Sequence, residues 1–154
     1  KVIRLDENGA VVNFVMNDKC AAGTGRFLEM MARTMEMNLD EMSKAGLKYK
    51  EDITISSMCT VFAESEVVSL IAQNKPTDDI VHGLNKAVAS KTAALAKRVG
   101  GEERYMMTGG VSKNEGLVKT LEEKLGTTLV VSDKAQLCGA LGAALFAMDM
   151  VTTH

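Results

Sequence analysis

Two cysteines stand where predicted helices begin, and this placement is the clearest chemical signal in the sequence. Cys20 lies in NDKCAAGTGRF and Cys59 lies in SSMCTVFAESE. Each cysteine precedes, or falls in the first turn of, a stretch with helical spacing of apolar residues. A helix N-terminus has unpaired N–H groups and the positive end of the dipole, so it stabilises a thiolate or another anionic group. The shared placement therefore indicates a thiolate site.

The residue types alone leave open what the two thiolates bind. They could be small buried apolar residues. A structural zinc site usually has four nitrogen or sulfur ligands, and the two histidines, His82 and His154, neighbour no cysteine. Two thiolates from each chain of a two-fold dimer would instead supply the four that a [4Fe-4S] cluster usually takes. Glu64 and Glu66 could be acid–base or magnesium groups, but solvated helix positions are favoured.

Two glycine-rich turns could bind a nucleotide. In YMMTGGVSKN a predicted strand runs into Gly109 and Gly110 and then into a helix. Such a turn lets a ligand approach the main chain and offers helix N–H groups. Gly23, Thr24 and Gly25 form a similar turn after Cys20. Neither turn matches a P-loop or G-x-G-x-x-G, so ordinary helix entries remain the alternative.

The last predicted helix is rich in alanine and glycine. Gly139 and Gly142 lie three residues apart, which suggests a flat face that packs closely against another helix or a bound ligand. The third cysteine, Cys138, lies among leucines in this segment. We interpret it as a core residue.

The elements that must position these residues follow from the apolar pattern. We expect a hairpin that turns at Gly9, a short helix capped by Asn38, and a long helix that ends at Gly100. The predicted elements are a hairpin over 1–17, helices over 23–38, 39–46, 59–74, 78–99, 114–125 and 135–150, and strands over 105–107 and 128–132. The closing order of strand, helix, strand and helix predicts a single α/β domain over 1–154.

Composition excludes several classes of function. The chain has 154 residues, 46% hydrophobic content and a net charge of −2, with no basic stripe for nucleic acid or an anionic membrane. We expect no secretory leader, because no charged-then-apolar stretch is present, and no run approaches the roughly 20 apolar residues that span a membrane, so we also expect no membrane partner. Three cysteines without a disulfide framework suggest the cytoplasm. Because the chain starts at Lys1 without a Met, we expect a piece of a longer protein.

Four motifs resemble the activator components of 2-hydroxyacyl-CoA dehydratases. They are MNDKCAAGTGRF, SSMCTVFAESEV, MTGGVSKN and GALGAALFA. The activators belong to a wider group of ATPases that includes ATP-binding subunits of benzoyl-CoA reductase. The resemblance runs from about Lys1 to Asp149.

The resemblance implies the ribonuclease H-like fold of acetate and sugar kinases, Hsp70 chaperones and actin. In that fold two α/β lobes bind ATP or ADP with Mg²⁺ in the cleft between them. This chain would be the C-terminal lobe, truncated at its N-terminus. The MTGGVSKN motif resembles the adenosine motif, which places Gly109 and Gly110 at the nucleotide and makes Ser112 and Asn114 further candidates. The last helix resembles the second segment that connects the lobes.

The resemblance also implies a homodimer that shares a single [4Fe-4S] cluster, ligated by Cys20 and Cys59 of each subunit. A donor such as ferredoxin or flavodoxin would reduce the cluster. ATP binding and hydrolysis would then drive one electron into the dehydratase, which removes water through a ketyl radical. Because the phosphate-binding segments of the family are missing, we expect no ATP hydrolysis by this chain alone. The alternatives are a cluster-free, kinase-like nucleotide-binding domain and a non-enzymatic iron–sulfur dimerisation module.

Overall fold

The computed structural model describes residues 1–17, 25–56 and 59–152, in which six helices accompany two pairs of short strands. The strands are β1 (Val2–Leu5), β2 (Val11–Val15), β3 (Tyr105–Met107) and β4 (Leu129–Val131). The helices are α1 (Gly25–Thr34), α2 (Leu39–Ala45), α3 (Thr60–Ala72), α4 (Thr77–Arg98), α5 (Glu115–Leu125) and α6 (Cys138–Thr152). Two 3-10 turns, Gly110–Lys113 and Ala135–Leu137, precede α5 and α6.

The two strand pairs have different topologies. β1 and β2 form the predicted antiparallel hairpin, in which Val2 lies opposite Val15. Asp6 closes the turn because its carboxylate accepts the main-chain N–H groups of Asn8 and Ala10, both at 2.9 Å. β3 and β4 pair in parallel, and α5 connects them. This unit confirms the predicted strand–helix–strand order, since parallel neighbours need a crossover connection.

The core forms around α4, which packs against α2, α3, α5 and β1. Ile80, Leu84 and Val88 recur four residues apart on this helix and are buried. This spacing places them on one face of a helix. Facing side chains from α1, α2, α3 and α5 complete the cluster, among them Met31, Met42, Val67, Leu117 and Leu121.

The first predicted helix ends earlier than its apolar pattern suggested. α1 stops at Thr34, whereas we expected helix through Asn38. Glu36 adopts a left-handed conformation with a φ of 54°, and the Met37 N–H turns back to the Ala32 carbonyl at 2.9 Å. Because the chain reverses there, Asn38 can cap α2, and Glu41 completes a capping box with it. The predicted Asn38 cap is confirmed.

The interpretation of Cys138 as a core residue was wrong. It is the first residue of α6, it is half-buried, and α6 has no buried residue. Leu141 and Leu145 on this helix are each more than half exposed. A Cβ added at Gly139 or Gly142 would have no atom of another described element within 4 Å. An apolar sequence predicts burial only where a second surface covers it, and the described part of this chain provides none here.

Within the described ranges, the stretch Ala135–Thr152 is long and apolar enough to cross a membrane, judged by length and composition only. Core helices of soluble proteins pass the same criterion. The absence of a membrane partner therefore stays a prediction.

His82 makes the stability of the fold dependent on pH. Its ring is 5% exposed and stacks on Tyr49, with the ring centroids 3.4 Å apart. Burial lowers the pKa of His82 from its usual 6.5, and the carboxylate of Asp52, 3.9 Å from Nε2, opposes part of that effect. The folded chain therefore binds this proton less readily than the unfolded chain does.

We predict that the free energy of unfolding falls as the pH drops from about 7.5 to about 5.5, because the unfolded histidine takes up a proton first. One such group contributes a slope of at most about 1.4 kcal/mol per pH unit. Urea titrations at several pH values measure the pH dependence of the free energy of unfolding in the wild type and in His82→Gln, with His154→Gln as the control. An unchanged slope in His82→Gln would contradict this assignment.

Candidate functional site

A cleft of about 640 Å³ lies where the starts of α1 and α2 meet the turn between β3 and α5. Its volume falls in the range of small-molecule sites. The lining residues are Gly25, Arg26, Leu28, Glu29, Leu39, Asp40, Gly110, Val111, Lys113, Asn114 and Gln136.

The turn after β3 owes its shape to Gly109. Its φ of 91° is in the left-handed region that favours glycine. The Gly109 N–H donates to the Ala135 carbonyl at 2.8 Å, and the Ser112 hydroxyl donates to the Gly109 carbonyl at 2.6 Å. Ser112 is buried and closes the turn. These two residues therefore shape the cleft, while their neighbour Gly110 lines it.

Gly25 allows α1 to approach this turn closely. A Cβ added at Gly25 would lie 3.2 Å from Cγ2 of Val111, which is tighter than ordinary van der Waals contact. A larger residue would therefore require Val111 or the start of α1 to shift by a few tenths of an ångström.

Asn114 offers the cleft a polar group with unused bonding capacity. It is 7% exposed and caps α5, since its Oδ1 accepts the Leu117 N–H at 2.9 Å. Its Nδ2 is buried and finds no acceptor among the described residues. Buried donors are nearly always paired, and Asn114 lines the cleft, so its amide is a candidate contact for a bound ligand.

The cleft carries charges of both signs. Arg26 Nη1 pairs with Glu29 Oε2 at 2.8 Å, and Asp40 and Lys113 also line the cleft. Apolar surface comes from Leu28, Leu39 and Val111. Apolar surface beside convergent polar groups is typical of small-molecule sites.

The structure brings together three of the residues predicted for nucleotide contact. Gly25, Gly110 and Asn114 line one cleft, although they come from two separate motifs. Gly23 and Thr24 lie outside the described residues. Sequence reasoning missed the side chains that α1, α2 and the turn after β4 contribute, namely Arg26, Leu28, Glu29, Leu39, Asp40 and Gln136. No local motif joins them.

Cys59 occupies the N-cap position of α3 and is exposed, in agreement with its predicted placement. Its carbonyl accepts the Ala63 N–H at 2.9 Å, and this hydrogen bond begins the helix. The hydroxyl of the next residue, Thr60, is buried and has no partner in the described part of the chain. The unpaired N–H groups of a helix N-terminus favour an anionic sulfur ligand at this position.

Cys20 lies outside the described residues. In residues 1–17, 25–56 and 59–152, no three His, Cys, Asp or Glu side chains gather as metal ligands. A site that uses Cys59 would therefore need Cys20 or a second chain.

The helices that follow the two cysteine motifs contact each other. The Thr34 hydroxyl at the end of α1 donates to Glu64 Oε1 of α3 at 3.0 Å. Glu66 accepts the Ser56 main-chain N–H at 3.1 Å and its hydroxyl at 3.2 Å. Both glutamates are half-buried. Their carboxylates bind neighbouring segments, whereas we expected solvated positions.

Comparison with known proteins identifies the family. The BadF/BadG/BcrA/BcrD ATPase family matches residues 1–147. This chain belongs to that family.

Among curated members of the family, the 2-hydroxyisocaproyl-CoA dehydratase activator of Clostridioides difficile is 47% identical over 149 residues, which cover 97% of this chain and 56% of the relative. The (R)-2-hydroxyglutaryl-CoA dehydratase activating ATPase of Acidaminococcus fermentans is 50% identical over 147 residues, or 96% of this chain and 56% of the relative. The chain therefore spans a little more than half the length of these relatives.

Solved structures of family members confirm the fold class. The activator of the 2-hydroxyisocaproyl-CoA dehydratase from Clostridium difficile with bound ADPNP superposes with a TM-score of 0.93 at 45% identity, covering 98% of this chain and 56% of that one. Component A of the Acidaminococcus fermentans (R)-2-hydroxyglutaryl-CoA dehydratase gives a TM-score of 0.87 at 49% identity, covering 91% of this chain and 54% of that one. The chain thus has the α/β architecture of the actin- and Hsp70-like ATPases.

We predict that Asn114→Ala weakens ADP binding about ten-fold, because one hydrogen bond to the ligand is lost. It should also cost about 1 kcal/mol of stability through the lost α5 cap. Isothermal titration calorimetry measures the affinity. Thr120→Ala is the matched control, since it removes a buried hydroxyl that bonds the Gly116 carbonyl at 2.8 Å on the same helix but outside the cleft. Equal losses of affinity in both variants would contradict a contact by Asn114.

Proposed function

We propose that this chain is the cluster-holding, nucleotide-binding part of an ATP-dependent activator that delivers one electron to a 2-hydroxyacyl-CoA dehydratase. The observation that carries the proposal is the exposed Cys59 at the N-cap of α3, a helix bonded through Thr34 to α1, which lines the nucleotide-sized cleft. Two relatives that are about half identical to this chain are named as activators of such dehydratases, which supports the partner.

In this proposal Cys20 and Cys59 provide two thiolate ligands, and a second copy of the chain provides two more. A [4Fe-4S] cluster bound there would store one electron and release it. The unpaired N–H groups at the N-terminus of α3 would favour an anionic ligand set at this position. Val61 and Phe62 support a second chain at this point, because these apolar side chains next to Cys59 are 64% and 66% exposed.

The cleft residues have separate tasks in the proposed nucleotide site. Gly110 allows close approach of the ligand to the main chain, and Asn114 donates its free Nδ2 hydrogen atoms to it. The carboxylates of Glu29 and Asp40 are suited to accept hydrogen bonds from hydroxyl groups, while Arg26 and Lys113 offset negative charge. ATP with Mg²⁺ is the expected ligand of the whole protein.

Helix α1 provides a physical connection between the two sites. Its first turn lines the cleft, and its last residue, Thr34, bonds α3. A ligand that binds more tightly to one position of α1 would shift the equilibrium between two arrangements of the cysteine-bearing helices. Docking on the dehydratase and reduction by ferredoxin or flavodoxin remain part of the proposal.

Iron and acid-labile sulfide analysis after anaerobic reconstitution tests the proposal. A cluster shared by two chains predicts about two irons and two sulfides per chain. Cys20→Ser and Cys59→Ser should each abolish the bound iron, because serine is a poor replacement for a thiolate ligand. Cys138→Ser is the matched control and should keep it, since Cys138 opens a different helix.

A protein that stays free of iron and sulfide after reconstitution would contradict the cluster. The remaining interpretation would then be a nucleotide-binding domain whose cysteines have other roles. Equal iron in all three variants would contradict the assignment of the ligands.

A further inference from the structure

The extended segment that leads to Cys59 lies directly on α4. Ile55 is buried in the core, and Ile53 packs against it. A Cβ added at Gly83 of α4 would be 2.8 Å from the Ile53 carbonyl oxygen, a distance too short for a real side chain. The main chain of the segment therefore rests on the backbone of α4.

One carboxylate holds the beginning of this segment. Asp79, in the first turn of α4, is 1% exposed, and its Oδ1 accepts the main-chain N–H groups of Lys50 at 2.7 Å and Glu51 at 3.1 Å. These hydrogen bonds hold the pKa of Asp79 below its usual 3.8, and the bond from Lys50 has the larger effect. Burial of the carboxylate opposes part of this shift. The group is consequently ionised at neutral pH, and hydrogen bonds to a charged acceptor are the strong kind.

Further contacts fix the same segment along its length. Tyr49 stacks on His82 of α4, and Asp52 pairs with Lys86 of the same helix. At the other end, the main chain and hydroxyl of Ser56 bond Glu66 of α3. Ser56 stands three residues before Cys59, so the thiol-bearing residue is confined to within roughly 11 Å of an anchored point.

We propose that Asp79 is a positioning residue for Cys59, acting through the main chain of residues 50–56. The role of Cys59 as a ligand rests on the proposed function, whereas the positioning itself is a property of this chain. Because α4 also packs on α5, whose cap Asn114 lines the cleft, one rigid helix fixes the approach to Cys59 and one wall of the cleft.

Amide hydrogen exchange, measured by NMR on the whole chain without iron, tests the proposal. In Asp79→Ala, exchange should become roughly ten-fold faster or more at Lys50, Glu51 and Ser56, and at Ala63, whose N–H donates to the Cys59 carbonyl. Amides of α5 should change only as far as global stability changes. Asp78→Ala is the matched control, because it removes the same charge from the same helix turn without touching residues 50 and 51.

Two further measurements separate positioning from a general loss of stability. Asp79→Asn keeps an acceptor oxygen, so it should restore part of the protection at Lys50; it also serves if Asp79→Ala does not fold. A nitroxide on Cys59, in a Cys20→Ser, Cys138→Ser background, should give narrower electron paramagnetic resonance lines in Asp79→Ala than in Asp78→Ala.

Faster exchange at Lys50 and Glu51 alone, with Ala63 and the nitroxide unchanged, would overturn the proposal, because the restraint would then end before Cys59. Neither readout requires bound iron. If the wild-type chain assembles no cluster, the proposed function fails, while these measurements still decide whether Asp79 positions Cys59.

Discussion

The burial of α4 is the constraint on which the rest of the structure depends. Ile80, Val81 and Leu84 are fully buried, and each such side chain contributes about 1.5–3 kcal/mol of transfer free energy. Helices α2, α3 and α5 and the first strand all pack on this one helix. Neither the parallel strand pair nor the hairpin is large enough to be stable alone. Helix α4 is the element on which the hairpin, α3 and α5 all pack.

Close approach to α4 is possible because glycines face it. A Cβ added at Gly116 of α5 would be 2.8 Å from Nδ2 of the fully buried Asn85, and Gly83 is just as close to the segment that precedes Cys59. The backbones of α5 and of the segment before Cys59 therefore come close to α4 at these two points, beside the side-chain packing of the core. A small shift of α4 would therefore displace both the start of α5, beside the cleft, and the segment that leads to Cys59.

Local chemistry determined which parts could be predicted from the sequence. The Asn38 cap, the hairpin turn and the placement of Cys59 at a helix start depend on neighbouring residues, and all three are confirmed. The cleft required tertiary structure, because Glu29 and Gln136 belong to distant segments. Cys138 was misassigned because burial depends on a covering surface that composition does not reveal. Asp79 gave no signal, since a carboxylate in a first helix turn is ordinary and its two main-chain partners lie far away in sequence.

We propose that two copies of this chain share one cluster through Cys20 and Cys59. Native mass spectrometry of the anaerobically reconstituted protein tests it most directly, because it weighs chains and cofactor together. The predicted dominant species has the mass of two chains and one [4Fe-4S] cluster, and it dissociates to metal-free single chains when the cluster is oxidised. A single chain that retains its own metal, or a dimer of the same abundance without iron, would contradict the claim.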